Sequence, residues 1–347
     1  MMHPFFQYDT EEGKKSLLSR ARKVALKALQ QYDLDWNCIR FVQVSDTITF
    51  KIETDSNDKY LLRIHSDKLN KEEINSEILF LNELCNVHGL IVPVGVKGLN
   101  GSYVFECETE EGYQKPCISL MRWIEGQQLS GDITESQVYN IGVMMSKLHE
   151  ASMKFKAPDH FVRPEWGSSS FRDNVRKLEF YYSRFLSNSD WLVYQSAITR
   201  IEHEVDRVPK NNQNYGLIHA DLHCGNVIFH EETLYPIDFG RCGYGYYLYD
   251  MAGALLELSP VQRKIFIQGY ESVKRLEVEY VSQLECFFIM FMIENYCHHS
   301  SNPNEISNLK AEQKYALAYI KEYLDGNSFL FKRITPIEMY EERNELT

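Results

Sequence analysis

A β-hairpin predicted in the second half of the chain constrains the fold more than any other feature. Two apolar runs, 227–229 and 234–237, flank a short turn that is mostly polar, and runs joined in this way favour paired strands. Asn226 stands directly before the first run and Asp238 directly after the second. Because a hairpin reverses the chain, we expect Asn226 and Asp238 to lie at the same end of it, with Asp221 beside them.

These three side chains suit the transfer of a phosphoryl group to a hydroxyl. That reaction needs a group that accepts the hydroxyl proton, and oxygen ligands for the Mg²⁺ that bridges the phosphates. Asp221 is the candidate base or positioning carboxylate, whereas Asn226 and Asp238 offer the hard oxygen donors that Mg²⁺ prefers. His219 and His223 belong to the same stretch, and each lies two positions from Asp221. The combination is more specific than a lone Asp-Phe-Gly, which is more often part of a turn.

A zinc site is the alternative interpretation of the same stretch, because histidines and Cys224 lie close together in it. Structural zinc sites pair their ligands in recurring Cys and His spacings. The carboxylates interleaved here suit magnesium better, so we favour magnesium and keep zinc as the second reading.

The stretch resembles the aminoglycoside phosphotransferase and choline kinase-like superfamily, whose signature is H-x-D-x-H-x-x-N followed by a strand that ends in D-[FW]-[GDE]. This chain reads H-A-D-L-H-C-G-N from His219 and D-F-G from Asp238. The resemblance implies a protein-kinase-like fold, ATP or GTP as phosphate donor, and a small-molecule hydroxyl as acceptor. It implies Asp221 as the catalytic aspartate, Asn226 and Asp238 as Mg²⁺ ligands, and His223 as a helper near the phosphates.

The resemblance also implies a basic residue on the third strand that contacts the nucleotide phosphates and pairs with a glutamate of the next helix. Arg63 occupies that strand position, and Glu77 is its expected partner. Family members often carry lysine there. Arginine keeps the charge but replaces a compact ammonium with a planar fork, which leaves the form of the phosphate contact open. An ordinary surface ion pair is the alternative.

The remaining nucleotide contacts are expected along the first hairpin and the hinge. No glycine-rich phosphate loop is present, so Ser45 and Thr47 of the first hairpin turn are the candidates for phosphate contacts, with plain turn residues as the alternative. The resemblance implies that the adenine contacts the hinge and an apolar wall. The residues expected there are Met121, Trp123 and Ile237.

Hydrophobic periodicity predicts an N-terminal part rich in strands. Apolar residues recur every three or four positions across 11–32, which indicates a leading helix, and a second helix is expected over 71–86. The predicted strands span 39–44, 47–54, 60–64, 91–96, 102–106 and 117–121.

After Gly126 the pattern changes to long helical segments around one β-rich stretch, 217–237. The predicted helices span 136–151, 171–185, 191–208, 260–270, 278–296 and 311–324. This order predicts a two-lobed α+β architecture. We expect an N-terminal antiparallel β lobe with one inserted helix over 1–121, which would bind the nucleotide, and a hinge over 122–126. A mostly helical lobe with the catalytic loop and the acceptor site is expected over 127–347.

The net charge argues against two classes of partner and is compatible with a third. The 347 residues carry a formal net charge of -12, whereas a nucleic-acid-binding protein needs a basic surface that displaces counterions. An anionic membrane surface would also repel the chain, so we expect neither partner. A cationic small substrate is compatible with this charge. The sequence leaves the oligomeric state open.

We expect no signal peptide, because the first ten residues lack a basic stretch followed by an apolar one. The most apolar run, 286–293, is too short to span a bilayer and indicates a buried helix. The eight cysteines form no C-x-x-C pair, which fits reduced thiols. We therefore expect a cytoplasmic protein.

The acceptor should approach Asp221 from the helical lobe, and the aromatic, glycine-rich stretch 240–247 is interpreted as a flexible loop that shapes its pocket. Packing of the lobe is an equal alternative. A small-molecule kinase is the leading hypothesis for function. A bacterial protein Ser/Thr kinase of the same fold and a non-catalytic scaffold such as a spore-coat component are the alternatives.

Overall fold

The structure is a computed structural model that describes residues 2–6 and 10–338. Its described residues divide into two compact units. The first unit takes in the described part of Met1–Gln127 together with Phe155–Arg163 and Ile228–Gly240. The second unit takes in Gln128–Lys154, Pro164–Val227 and the described part of Arg241–Thr347.

An antiparallel sheet forms the centre of the first unit, in the order β1-β2-β3-β6-β4, with β5 paired to β6. Its strands are β1 (Trp36–Val44), β2 (Thr47–Thr54), β3 (Lys59–His65), β4 (Gly95–Val96), β5 (Val104–Glu106) and β6 (Cys117–Arg122). Because side chains alternate across a strand, Arg63 lies on the opposite face of β3 from Leu62 and Ile64.

Two helices accompany this sheet, α1 (Glu11–Leu29) and α2 (Lys71–Leu84). The Thr10 side chain caps α1 by accepting from Gly13 N–H at 3.0 Å, and a capping box between Asn70 and Glu73 starts α2. Buried apolar side chains of α1 share one core with the sheet face that carries Leu62 and Ile64. The opposite face of the sheet therefore keeps the polar side chains of β3.

Helices dominate the second unit. They are α3 (Glu135–Lys154), α4 (Ser168–Tyr181), α5 (Asn188–Val205), α6 (Tyr247–Leu255), α7 (Pro260–Glu271), α8 (Tyr280–His299) and α9 (Ile306–Asp325). The remaining strands of the chain are β7 (Gln127–Gln128), β8 (Tyr215–Ile218), β9 (Val227–His230), β10 (Thr233–Pro236) and β11 (Gly243–Tyr246). The apolar run in α8 is buried, as expected. Within the part of the chain that the structure describes, no helix has the length and apolar character to cross a bilayer.

The α+β class and most elements agree with the sequence prediction, and β2 has the predicted bounds. The strand predicted over 91–96 is wrong in extent, because only Gly95–Val96 pairs as a strand. Pro93 explains the difference, since proline has no N–H to donate to a ladder. The division into lobes at 121–127 stays a prediction.

The interpretation of 240–247 as a flexible loop is wrong. Phe239–Arg241 forms a 3₁₀ turn, and Gly243–Tyr246 is the strand β11, which pairs antiparallel with β8. Because glycine is depleted in strands, the glycine-rich sequence of β11 did not indicate a strand. Here a small residue is required, because a Cβ on Gly245 would lie 2.4 Å from the Ile218 side chain.

Candidate functional site

The loop between β8 and β9 carries Asp221, and a side chain of α6 accepts hydrogen bonds from the backbone of this loop. Asp250 of α6 accepts hydrogen bonds from His219 N–H at 2.9 Å and from Ala220 N–H at 2.8 Å. Ala220 has a left-handed φ of 63°, a conformation that costs an L-residue roughly 1–2 kcal/mol. The two hydrogen bonds to Asp250 hold that conformation directly before Asp221.

Asp250 is itself fixed by His149 of α3. His149 Nε2 lies 3.0 Å from Asp250 Oδ2, and His149 Nδ1 lies 2.9 Å from the Tyr270 hydroxyl. Burial opposes the charge of Asp250, but the hydrogen bonds that it accepts from His149 and from His219 N–H outweigh burial and lower the pKa of its carboxyl. Burial lowers the pKa of His149, against the pull of Asp250. We therefore assign an ionised Asp250 and a neutral His149 that donates from Nε2.

Asn226 is oriented by the backbone of Asp221. Asn226 Nδ2 donates to Asp221 O at 2.9 Å and lies 3.4 Å from Asp221 Oδ2. With its nitrogen used in this way, the side chain of Asn226 keeps its amide oxygen for another partner. His223 is half-buried, and its Nδ1 accepts from Gly225 N–H at 3.2 Å. The structure thus brings together Asp221 and Asn226, while His223 bonds within its own turn.

A cation that sequence reasoning did not single out lies beside Asp221. Arg241 Nη1 is 3.9 Å from Asp221 Oδ1, and the Arg241 guanidinium lies 4.7 Å from the centre of the Trp166 ring. Trp166 Nε1 donates to Arg241 O at 3.0 Å. The available signal was an arginine directly after the D-F-G motif, but only the pairing of β11 with β8 brings Arg241 next to Asp221.

Arg63 and Glu77 form the predicted pair in the first unit. Arg63 Nη1 lies 2.5 Å from Glu77 Oε1, and the two residues are 5% and 1% exposed. The pairing is confirmed, and the alternative of a surface ion pair is wrong. A Cβ at Gly240 would lie 3.4 Å from Asp238 Oδ1 and 3.5 Å from Arg63 Nη2, so Asp238 and Arg63 flank the same glycine. Asp238 is exposed and has a left-handed φ of 62°.

The candidates in the first hairpin turn are placed differently from each other. Ser45 is exposed, and its N–H donates to Thr47 O at 2.9 Å. Thr47 is half-buried and pairs across the strands with His65, whereas Thr49 pairs with Arg63. Thr49 is buried, and no motif in the sequence selected it. Thr47 therefore shares the sheet face of Arg63, and Ser45 lies in the turn beyond it.

The hinge candidates lie at the end of β6 and just after it. Met121 is buried, with its sulfur 3.7 Å from Arg63 Nη1. Trp123 is half-buried, and its N–H donates to Lys59 O at 3.0 Å. Ile237 is half-buried directly before Asp238. The Trp123 N–H therefore already has a backbone partner.

The zinc alternative gains no support. Within residues 2–6 and 10–338, no three or more His, Cys, Asp or Glu residues are grouped as metal ligands.

Comparison with known proteins shows to which family the chain belongs. The model of the phosphotransferase enzyme family matches residues 41–280, more than half of the sequence. The chain belongs to this family. Membership confirms the resemblance drawn from the motif, and the matched residues include every candidate site residue named above.

Two curated relatives match at low identity. An uncharacterized protein of Synechocystis sp. is 28% identical over 231 residues, which cover 64% of this chain and 62% of that protein. Amicoumacin kinase of Bacillus subtilis (strain 168) is 25% identical over 233 residues, which cover 66% of each chain. The chain thus spans just under two thirds of the length of these relatives.

Solved structures of kinases share the fold of this family member. A microcompartment-associated aminopropanol kinase matches with a TM-score of 0.77 at 21% identity, over 90% of this chain and 100% of that one. The amicoumacin kinase hAmiN, in complex with AMP-PNP, Ca²⁺ and Ami, matches with a TM-score of 0.75 at 19% identity, over 93% and 98%. These similarities confirm the α+β fold.

Proposed function

We propose that this protein transfers the γ-phosphate of ATP or GTP to a hydroxyl group of a small molecule, with Asp221 as the base. The observation that carries the proposal is the loop around Asp221, whose backbone is anchored by Asp250 and whose neighbour Asn226 is fixed by a hydrogen bond to it. Membership of the phosphotransferase family supports the reaction class. The similarity to an amicoumacin kinase and an aminopropanol kinase supports a small acceptor.

In the proposed reaction the acceptor hydroxyl donates a hydrogen bond to the Asp221 carboxylate. As the hydroxyl oxygen bonds to the γ-phosphorus, the bond from that phosphorus to the β–γ bridging oxygen breaks, and the proton passes to Asp221. A positioned base typically contributes 10²–10⁴-fold, an order-of-magnitude range for such catalysis. Half-burial of Asp221 leaves its carboxylate accessible to the acceptor while the hydrogen bonds of the loop fix its position.

Asn226 and Asp238 are the proposed magnesium ligands. The amide nitrogen of Asn226 is used by Asp221, which leaves a hard oxygen donor, and Asp238 presents an exposed carboxylate. Both donors fit the oxygen preference of Mg²⁺. When bound, the ion would neutralise charge on the phosphates.

The nucleotide contacts stay proposals of the same kind. Arg63, fixed by Glu77, would contact the phosphates, and Thr47 on the same sheet face is favoured over Ser45 as a hydroxyl donor. His223 would assist near the phosphates through Nε2, because its Nδ1 is used by Gly225.

Three apolar side chains complete the proposed nucleotide contacts. The adenine would meet Met121, Trp123 and Ile237, of which Met121 contributes a buried surface and the other two are half-buried.

The test is nucleotide consumption by the purified protein with Mg²⁺ and a panel of acceptors. Suitable acceptors are aminoglycosides, choline, ethanolamine, homoserine, sugars and a generic protein. We expect turnover that one class of small molecule stimulates, and a fall of about 10²–10⁴-fold in Asp221→Asn with Mg²⁺-nucleotide binding retained. Asp325→Asn, at the exposed end of α9, is the matched control and should keep full turnover.

Three results would count against parts of the proposal. Full turnover in Asp221→Asn would remove Asp221 as the base. Normal Mg²⁺-nucleotide affinity in Asp238→Ala would remove Asp238 as a metal ligand. Stimulation by the protein substrate alone would favour a protein kinase, and a chain that binds no nucleotide with Mg²⁺ would contradict the phosphotransferase function itself.

A further inference from the structure

Arg241 presents a cation directly beside the proposed base. The side chains of Arg241 and Asp221 are 32% and 31% exposed, and the shortest distance between their charged atoms is 3.9 Å. A single long contact of this kind at a partly solvated site contributes about 0–1 kcal/mol. Asp221 therefore neutralises Arg241 only weakly and leaves most of the planar donor fork available to a ligand.

Arg241 is also held more firmly than an ordinary exposed arginine. Its guanidinium lies 4.7 Å from the ring centre of Trp166, and its carbonyl accepts from Trp166 Nε1 at 3.0 Å. The backbone of Trp166 is tied in turn to β11, where Trp166 N–H donates to Tyr244 O at 2.7 Å. A side chain whose position is set by packing and by hydrogen bonds of its neighbours is suited to recognising one ligand group.

We propose that Arg241 binds a carboxylate of the acceptor, so that the substrate of this kinase is a small hydroxy acid or hydroxy amino acid. The inference rests on the proposed function, because it takes Asp221 as the group that receives the hydroxyl proton. When the acceptor hydroxyl is hydrogen-bonded to Asp221, the neighbouring atoms of the acceptor should lie close to Arg241, because Arg241 Nη1 is only 3.9 Å from Asp221 Oδ1. The guanidinium fork matches a carboxylate through two parallel hydrogen bonds.

The charges around Arg241 agree with this assignment. Glu294 of α8 is another carboxylate that interacts electrostatically with Arg241. It is buried and accepts from the Tyr249 hydroxyl at 2.5 Å and from Asn174 Nδ2 at 2.9 Å. Its oxygens are therefore used by Tyr249 and Asn174, and burial raises its pKa. The overall charge of -12 is compatible with a cationic acceptor, whereas Arg241 adds a site for an anionic group next to the hydroxyl.

Matched pairs of acceptors that differ by one carboxylate test the proposal. Serine is ethanolamine with a carboxylate, threonine is 1-amino-2-propanol with one, and homoserine is 3-aminopropanol with one. We expect kcat/KM to be about 10- to 100-fold higher for the carboxylated member of the accepted pair, the scale of a hydrogen bond to a charged group. Arg241→Gln should remove this preference, because kcat/KM should fall more for the carboxylated member than for the amino alcohol, and Arg241→Lys should keep part of the preference.

The controls separate failure of this inference from failure of the proposed function. Arg207→Gln, an exposed arginine of the same unit, should keep the preference, and binding of Mg²⁺-nucleotide is measured for every variant. An Arg241→Gln variant that loses activity equally on both members of a pair would overturn the inference and assign Arg241 to Asp221 or to the transferred phosphoryl group. Turnover of amino alcohols in preference to their acids would overturn it, as would Mg²⁺-nucleotide binding without turnover of any hydroxy acid. Absence of nucleotide binding would instead contradict the proposed function.

Discussion

Arg63 and Glu77 form a buried ion pair, which requires that two charges be removed from water at a large cost in free energy. Both side chains are almost fully buried, and Glu77 Oε2 has no hydrogen-bond partner within the described residues. Two apolar residues of similar volume often stabilise a core as well as or better than a buried ion pair does. We therefore interpret the pair as retained for the phosphate contact proposed for Arg63 and not for folding.

Separate single and double variants test that interpretation. Glu77→Leu leaves the Arg63 cation without its carboxylate, so we expect a loss of about 3–5 kcal/mol in the free energy of unfolding. The double variant Arg63→Met with Glu77→Leu should regain most of that loss, measured by urea denaturation, yet should bind Mg²⁺-nucleotide far more weakly than the wild type. A double variant with wild-type nucleotide affinity would remove Arg63 from the nucleotide site.

The two charged pairs also show what a sequence can predict for single residues. Arg63 lies on a strand and Glu77 on the helix that follows it, and the family resemblance implied their pairing. Arg241 and Asp221 meet only because Gly243 pairs with Ile218 in the β8–β11 ladder, which extends the two strands toward both residues. That ladder depends on a glycine-rich strand without the usual strand-forming residues, so the contact was not predictable.

At the scale of whole elements, the close approach of α3 and α7 determines how the loop that carries Asp221 is supported. A Cβ on Gly142 of α3 would lie 2.1 Å from Phe266 O, and a Cβ on Gly269 of α7 would lie 2.0 Å from Tyr139 O. The two helices therefore pack backbone against backbone. The same helices carry His149 and Tyr270, so their spacing sets the hydrogen bonds that orient Asp250.

We expect Gly142→Ala to push α3 away from α7. Overpacking of this kind costs about 1–3 kcal/mol in the free energy of unfolding, and the turnover number should fall because Asp250 then holds the loop less well. Gly167→Ala is the control, since nothing lies within 4 Å of its added Cβ. Its stability should change by less than about 0.5 kcal/mol. Equal stability of the two variants in urea would show that the helices can separate at no cost.

The hairpin of β9 and β10 was predicted, although its two turn residues are not those that such a turn usually selects. Glu231 and Glu232 both have left-handed φ angles, 46° and 64°, in a two-residue turn that usually selects Asn-Gly. The apolar runs on either side were sufficient for the prediction, because burial of the strands outweighs the turn preference. The turn type itself could not be derived from two glutamates.

For the molecule as a whole, the α+β class followed from the order of strand-type and helix-type periodicity, and the family followed from one motif. The interior polar groups did not follow from the sequence. His65 and His149 are almost fully buried, although nothing in their local sequence distinguishes them from exposed histidines such as His203. Their burial depends on which sheet face and which helices cover them, and those are long-range contacts.

These two histidines make the stability of the whole protein depend on pH. Burial, and then the charges of Arg63 and Arg163, lower the pKa of His65 well below its usual value, and burial lowers that of His149. Each ring therefore binds fewer protons in the folded than in the unfolded state at pH below about 6.5. The free energy of unfolding should then fall as the pH drops, by up to about 1.4 kcal/mol per pH unit for each histidine.

Urea denaturation between pH 7.5 and 5.0 measures this slope. Glu294 acts with the opposite sign, because burial raises its pKa and its folded form binds protons first. Its effect lies between the raised pKa of the folded form and the usual value of 4.5, and it reduces the slope at the acidic end. The variant His65→Gln can still hydrogen-bond to Ser119. Between pH 6.5 and 5.5 its free energy of unfolding should depend less steeply on pH than that of the wild type, because the contribution of His65 is gone. The control His203→Gln, at an exposed position, should keep the wild-type slope. Equal slopes in His65→Gln and the wild type would show that His65 is protonated in the folded protein, contrary to its burial between two arginines.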